Sequence, residues 1–134
     1  METVRLSTRR RAEMVDITAQ VQGVVDRAGV GEGIVVIQSL HTTAGITVNE
    51  NADPDVRHDL LEKLEELVPH HEPFYRHDEG NSDSHLKTSF MGPSVTLIVH
   101  DGGVVVGRWQ GVYFCEFDGP RERQVAVQVI GAGR

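Results

Sequence analysis

One cysteine, Cys115, stands in the whole chain, so no disulfide can close within it. That fits a reducing compartment, and the expected location is the cytoplasm. Aromatic residues make up only 5% of the 134 residues, too few for the stacking platforms that grip single-stranded nucleic acid. Positive charge is also short: 13 Lys and Arg face 20 Asp and Glu, a formal net charge of -7. A non-specific hold on nucleic acid needs the opposite balance. No apolar run reaches the roughly 18 to 20 residues of a membrane span, and Arg9-Arg10-Arg11 is not followed by the apolar stretch of a secretory signal. Neither G-x-S-x-G, a Walker A loop nor G-x-G-x-x-G is present. The expectation is one soluble domain spanning 1–134, with a single core and no nucleic-acid or membrane partner.

What is present is mostly β-patterned. In TVRLST, Val4 and Leu6 alternate with Thr3, Arg5 and Ser7, which predicts a strand. Asp16 is a candidate N-cap for a short helix with Ile17, Val21, Val24, Val25 and Ala28 on one face, and Gly29 can end it. GIVVIQSL, residues 33–40, is almost continuously apolar and predicts a strand covered on both faces. GITVNE is another strand, or its continuation around Gly45. DPDVRHDLLEKLEELVP is the plainest helix: Asp53 can cap it, Pro54 suits its first position, and Pro69 follows its end. Val56, Leu60, Leu64 and Leu67 make its expected buried stripe, with His58 on the polar side. SVTLIVH, GVYFCEF and RQVAVQVI complete the strands. In the last, Val125, Val127 and Val129 face one way and Gln124, Ala126 and Gln128 the other. Roughly seven strands with two helices predict a mainly β, α+β domain, an antiparallel sandwich or barrel with helices on one side. A second sheet would cover one face of GIVVIQSL and a partner subunit the other.

Three polar segments compete as sites. RHDEGNSDSH, residues 76–85, holds two histidines, two aspartates, a glutamate, an asparagine and two serines, with nothing apolar to bury. It lies in a long stretch, HHEPFYRHDEGNSDSH, read as a loop, and long loops in compact domains are functional or disordered. His77 and His85 stand eight apart across a Gly-Asn turn, a spacing that matches neither a zinc finger nor H-E-x-x-H. HTTAGITVNENAD places His41 before a strand and Asn49, Glu50, Asn51 and Asp53 after it. In WQGVYFCEFDGPR, Trp109, Tyr113 and Phe117 read as core or interface, and Cys115 shares their parity, which predicts a buried, inert thiol. His58, His70, His71 and His100 have no evident partners and read as surface or packing residues.

HTTAGITVNENADPDV, YRHDEGNSDSHLKTSFMGPSVT and WQGVYFCEFDGPR, in that order over nearly the whole chain, resemble the YjbQ-like family, also called secondary thiamine-phosphate synthases. The resemblance implies a β-rich sandwich that forms a homotrimer, with a histidine-containing polar cleft near the subunit interfaces. Carried over, His41, Asn49, Glu50 and Asn51 would form one part of the cleft. His77, Glu79, Asn81, Ser82, Asp83 and His85 would form another, and Trp109, Gln110, Glu116 and Asp118 belong to the third motif. The family usually has a small residue before its tryptophan, where this chain has Arg108.

The activity the resemblance implies couples hydroxymethylpyrimidine diphosphate to a thiazole phosphate and releases pyrophosphate. Arg76, Lys87 and Arg121 lie beside the acidic motifs and could contact phosphates. The expected arrangement folds RHDEGNSDSH against the end of GIVVIQSLH. His41, His77 and His85 then share a divalent ion, zinc or magnesium, and Glu79 or Asp83 completes the shell or acts as base. Glu79, His77, Asp83 and Glu50 are the expected catalytic residues. Asn49, Asn51, Arg76, Asn81, Ser82, Lys87 and Arg121 are the expected contacts to a small phosphorylated metabolite. Two alternatives stay open: a metal-dependent hydrolase or lyase of another phosphorylated metabolite, and a trimeric metal- or ligand-binding module without catalysis.

Overall fold

The structure is a computed structural model and describes residues 1–133. Eight strands and three helices follow one another as β1 (Glu2–Ser7), β2 (Glu13–Asp16), α1 (Thr18–Ala28), β3 (Gly33–Ser39), β4 (Ala44–Glu50), α2 (Pro54–Leu67), α3 (Ser82–Met91), β5 (Ser94–His100), β6 (Gly103–Val104), β7 (Gln110–Glu116) and β8 (Glu122–Gly131). A five-stranded sheet runs β1-β8-β3-β5-β6 and a three-stranded sheet runs β2-β7-β4. Every pairing is antiparallel. No helix among the described residues is long and apolar enough to cross a membrane.

The sheets face each other across the main core. Val35 and Ile37 of β3 and Val125 and Val127 of β8 meet Ile46 of β4 and Val112 and Phe114 of β7, and Val21, Val24 and Val25 of α1 join them. The alternation in β8 therefore sorts as its sequence predicts. Asp16 accepts the backbone N–H and hydroxyl of Thr18 at 2.9 and 2.6 Å at the start of α1, and Gly29 ends it in the left-handed region at φ 67°.

β7 is buried on both faces because it lies in the middle of three layers. Val112 and Phe114 point into the main core. Tyr113 and Cys115 point the other way, with Phe117 and Met14, against Leu60, Leu61 and Leu64 of α2 and Met91 of α3. Burial pushes the Cys115 thiol up to about 12, so it stays protonated. Asp53 Oδ1 accepts the Asp55 N–H at 2.9 Å, which caps α2 as expected.

The sequence reading is corrected in three places. In α2 the packed stripe is Leu60, Leu61 and Leu64, and Leu67 is 65% exposed. The loop reading of residues 82–85 fails, because they open α3, a third helix. β2 and the two-residue β6 raise the strand count to eight. Within one chain the outer face of β3, the face expected to meet a partner subunit, is open, with Ile34 37% exposed. Ile34 pairs across to Ile98 and to Ile130, so an exposed isoleucine row crosses the outer face of the larger sheet.

α3 has its polarity reversed. Asp83, Ser84, Lys87 and Thr88 face inward, while Leu86 and Phe90 are exposed. Its C-terminal end lies close on β4, where Gly45 leaves the room. A Cβ there would stand 2.7 Å from the Gly92 carbonyl, which accepts the Ile46 N–H at 3.1 Å.

Candidate active site

The inward face of α3 is polar because an ion network holds it. Arg11 reaches the fully buried Asp83 with two nitrogens, at 3.1 and 3.0 Å, and Lys87 Nζ donates to Asp83 at 3.0 Å. Burial alone would raise the Asp83 carboxyl pKa, but the Arg11 and Lys87 hydrogen bonds outweigh it and hold the group below its ordinary value. Lys87 also donates to Glu65 at 2.6 Å, and Glu65's other oxygen accepts the His70 backbone N–H at 3.1 Å. The His70 ring then donates from Nε2 to the Gly80 carbonyl at 2.7 Å. Ser84 donates to the Phe117 carbonyl at 2.5 Å, and the Asn81 amide donates to Asp118 at 2.7 Å. Asn81 Oδ1 stays buried without a partner among the described residues. These contacts run from Arg11 through α3 and α2 to the turn at Gly80, and they fix the loop that precedes α3.

That loop brings two of the three expected histidine ligands together. The His77 and His85 rings meet edge to face, with centroids 5.3 Å apart, and Glu79 lies 3.6 Å from His77 Nε2. Two clefts adjoin here, of about 510 and 500 Å³, and Tyr75, His77 and Ser82 line both. Phe74, Leu86, Arg76 and His85 complete the first. His70, His71, Glu72 and Gly80 help to complete the second, and there the His70 and His71 rings stack at 4.0 Å. Lys87 opens instead to a third cleft of about 540 Å³ between the segment Arg10–Met14 and α2, with Arg57 and His58 in its wall.

His41 is not gathered with the pair. Its Nε2 accepts the Gln124 backbone N–H at 2.8 Å, so the ring's proton sits on Nδ1. Burial, then the nearby Arg123 charge, lowers its pKa and keeps it neutral. Around it stands a second buried ion pair. Glu116 accepts hydrogen bonds from Thr8 at 2.6 Å, from Arg123 Nε at 2.8 Å and from the Asp118 N–H at 3.1 Å. Arg123 also donates to Thr43 at 2.8 Å. Arg121 is held by Asp118, donating to its carboxylate at 3.0 Å and to its carbonyl at 2.8 Å.

Asn49, Glu50 and Asn51 lie at the far end of β4. Ala44 pairs with Glu116 and Glu50 with Gln110, so six strand steps of about 3.3 Å put roughly 20 Å between the two ends. Asn51 there lies over Gly111, where a Cβ would stand 2.7 Å from the Asn51 amide nitrogen, and its N–H donates to the Trp109 carbonyl at 2.9 Å. The Arg108 guanidinium lies 4.9 Å over the Trp109 ring, so the departure in sequence packs on the motif's own tryptophan.

The expected three-histidine ion site does not fit one chain. The His77 and His85 rings are close enough for one nitrogen of each to reach a shared ion at about 2.0 to 2.1 Å. Among the described residues, however, no three His, Cys, Asp or Glu side chains gather as ligands. Sequence reasoning missed Arg11, Glu65, His70 and Arg123. Arg11 pairs with a residue 72 positions away and sits in an arginine triplet with no local pattern. Arg123 lies two residues past the end of the third motif, and that nearness was its only signal.

A mainly β domain with a polar, histidine-bearing first turn of a helix that buries its polar face defines the class. Residues 2–132 match the family described as UPF0047 protein YjbQ-like. The UPF0047 protein YugU of Bacillus subtilis is 45% identical over 131 residues, covering 98% of this chain and 99% of that protein. The UPF0047 protein MJ1081 of Methanocaldococcus jannaschii is 49% identical over 127 residues, 95% of this chain and 91% of that one. An uncharacterized YjbQ/UPF0047 family protein from Clostridium acetobutylicum has a crystal structure that superposes with a TM-score of 0.95 at 47% identity, over 97% of this chain and 100% of that one. A YbjQ-like protein of unknown function from Sulfolobus solfataricus superposes with a TM-score of 0.93 at 34% identity, over 97% and 95%. The chain belongs to the YjbQ/UPF0047 family.

Proposed function

We propose that the protein is a secondary thiamine-phosphate synthase-like enzyme working as a homotrimer. It would join hydroxymethylpyrimidine diphosphate to a thiazole phosphate. The observation that carries this reading is the pair of adjoining clefts that share Tyr75, His77 and Ser82 as a common wall. A transfer between two small substrates needs two compartments meeting at the reacting groups.

The thiazole nitrogen supplies the electron pair for the new C–N bond. The pair of the breaking C–O bond leaves on pyrophosphate, and the product ring carries a positive charge. That nitrogen has no proton to lose, so its attack needs no base. The demand falls on the leaving group, whose negative charge grows in the transition state. Arg76 and the His77–His85 pair border the cleft where that charge would develop. Glu79, 3.6 Å from His77 Nε2, would help to orient that ring toward the phosphate. Ser82, at the start of α3, adds a hydroxyl donor, and Asp83 orders Arg11 and Lys87 behind it. A divalent ion, zinc or magnesium, held by His77 and His85, and by His41 of another copy once that ring gives up its Gln124 bond, would supply Lewis-acid stabilisation of the same charge.

The trimer reading rests on two observations. The outer isoleucine row of the larger sheet is exposed in one chain and suits a subunit contact. The Asn49–Asn51 group and His41 also lie toward opposite ends of β4, so a cleft that joins them, as the family resemblance implies, would draw on more than one copy.

A second reading uses the same groups on water, as a hydrolase or lyase of a phosphorylated metabolite. The exposed Glu79 carboxylate beside His77 favours it, since attack by water does need a base. The test is incubation with both precursors, with and without added zinc, magnesium or chelator, following thiamine phosphate and pyrophosphate. Equimolar products support the transferase. Phosphate release from either precursor alone supports the second reading. No turnover in any arm leaves a binding module and contradicts both.

A further inference from the structure

The Phe74 side of the paired clefts has a chemistry that the proposed reaction has not used. Phe74 is 71% exposed and Leu86 40% exposed, although both belong to the wall of a cleft of about 510 Å³. Phe74 stands edge-on to Tyr75 at a centroid distance of 5.1 Å. Leu86 lies four residues beyond Ser82 on α3, so the two share one face of that helix. One part of the cleft is therefore aromatic and aliphatic. Arg76, His85 and the Ser82 hydroxyl supply its polar groups. A cleft of this size with apolar walls and a few placed polar groups is the usual profile of a small-molecule site. The neighbouring cleft differs, since imidazoles and Glu72 dominate it.

We propose that the Phe74–Leu86 cleft is the ring compartment of the site, taking a flat aromatic ring whose anionic group reaches Arg76 and Ser82. Phe74 and Leu86 would then set specificity. The ring would lie against Leu86 with Phe74 at its edge, an arrangement aromatic rings prefer to face-to-face stacking. Arg76 is the cation nearest this wall, and it enters no ion pair among the described residues. This assignment deepens the reading of the His77–His85 site and rests on it.

Phenylphosphonate and methylphosphonate separate the ring from the anion, and neither has a P–O–C bond to hydrolyse. Binding of each is measured by titration calorimetry and saturation-transfer NMR on the full chain, with light scattering on every variant. Wild type should bind phenylphosphonate at least tenfold more tightly than methylphosphonate. Phe74→Ala and Leu86→Ala, both at exposed positions, should lose that preference and keep the weak methylphosphonate binding. Arg76→Gln should weaken both ligands. Equal binding of the two ligands by wild type would overturn the proposal, and so would a ring preference that survives both alanine variants. A third overturning outcome is a change of assembly mass in those variants with binding unchanged, which would make the patch a contact between copies. Turnover of the thiamine precursors is scored separately. Ring-selective binding without turnover sinks the transferase and leaves this inference standing, and turnover without ring selectivity does the reverse.

Discussion

Asp83 and Glu116 are the two fully buried carboxylates that hold the site's backing. Each is satisfied by an arginine that the chain brings from elsewhere. Removing one partner of such a pair strands a buried charge, which typically costs about 3 to 5 kcal/mol. Asp83→Ala should lose stability in that range in urea unfolding, because Lys87 stays buried. A loss under about 1 kcal/mol would mean that the network contributes little. Glu116 supplies the pH test. Burial would raise its pKa, but the Arg123, Thr8 and Asp118 hydrogen bonds outweigh it and depress the folded value. The unfolded value lies near about 4.3. The stability it contributes is therefore full above that pH and is lost as pH falls through the depressed value. Between about pH 4.5 and 3, wild type should lose stability more steeply than Glu116→Gln. Parallel slopes would show that the carboxylate is not specially stabilised.

The helices show what the sequence makes legible and what it hides. α2 announces itself through Asp53, Pro54 and its apolar repeat, and its cap forms as read. Its last stripe residue was misread because Leu67 belongs to the final turn, where the helix has already run past the layer that Leu61 and Leu64 cover. α3 gave no apolar period, because its buried positions are Asp83, Ser84, Lys87 and Thr88, satisfied by partners far off in sequence. A pattern rule that searches for buried apolar residues cannot find a helix held inward by ions. The same inversion hid the site, since the loop's polar composition was visible and its anchoring by Arg11, Glu65 and His70 was not. β7 was read as a strand, and its run Val112–Cys115 fits the burial on both faces that it has. The facing of α2 has its own check. Leu64→Ala, partly buried against Tyr113 and Cys115, should cost about 2 kcal/mol, near the low end for a core leucine. The exposed His58→Ala should stay within about 0.5 kcal/mol. Equal losses in thermal or urea unfolding would reverse the facing of the helix.

At the scale of the molecule, two features stand open among the described residues of one chain: an uncovered isoleucine row and a histidine pair with no third ligand group gathered beside it. A homotrimer would resolve both. Ile98→Asp, at the most exposed member of the row (61%), should convert a trimer mass to a monomer mass in light scattering at micromolar concentration, with the fold retained by circular dichroism. A monomeric wild type would remove this part of the reading. The central claim is that the clefts meeting at His77 form the active site of a transferase. Its most direct test is thiamine-phosphate formation from the two precursors by wild type, His77→Ala and His85→Ala, each verified as folded and of equal mass. Wild type should give product and pyrophosphate in equal amounts, and both variants should lose about 100-fold or more. Full activity in the histidine variants, or none in wild type under every metal condition, would contradict the claim.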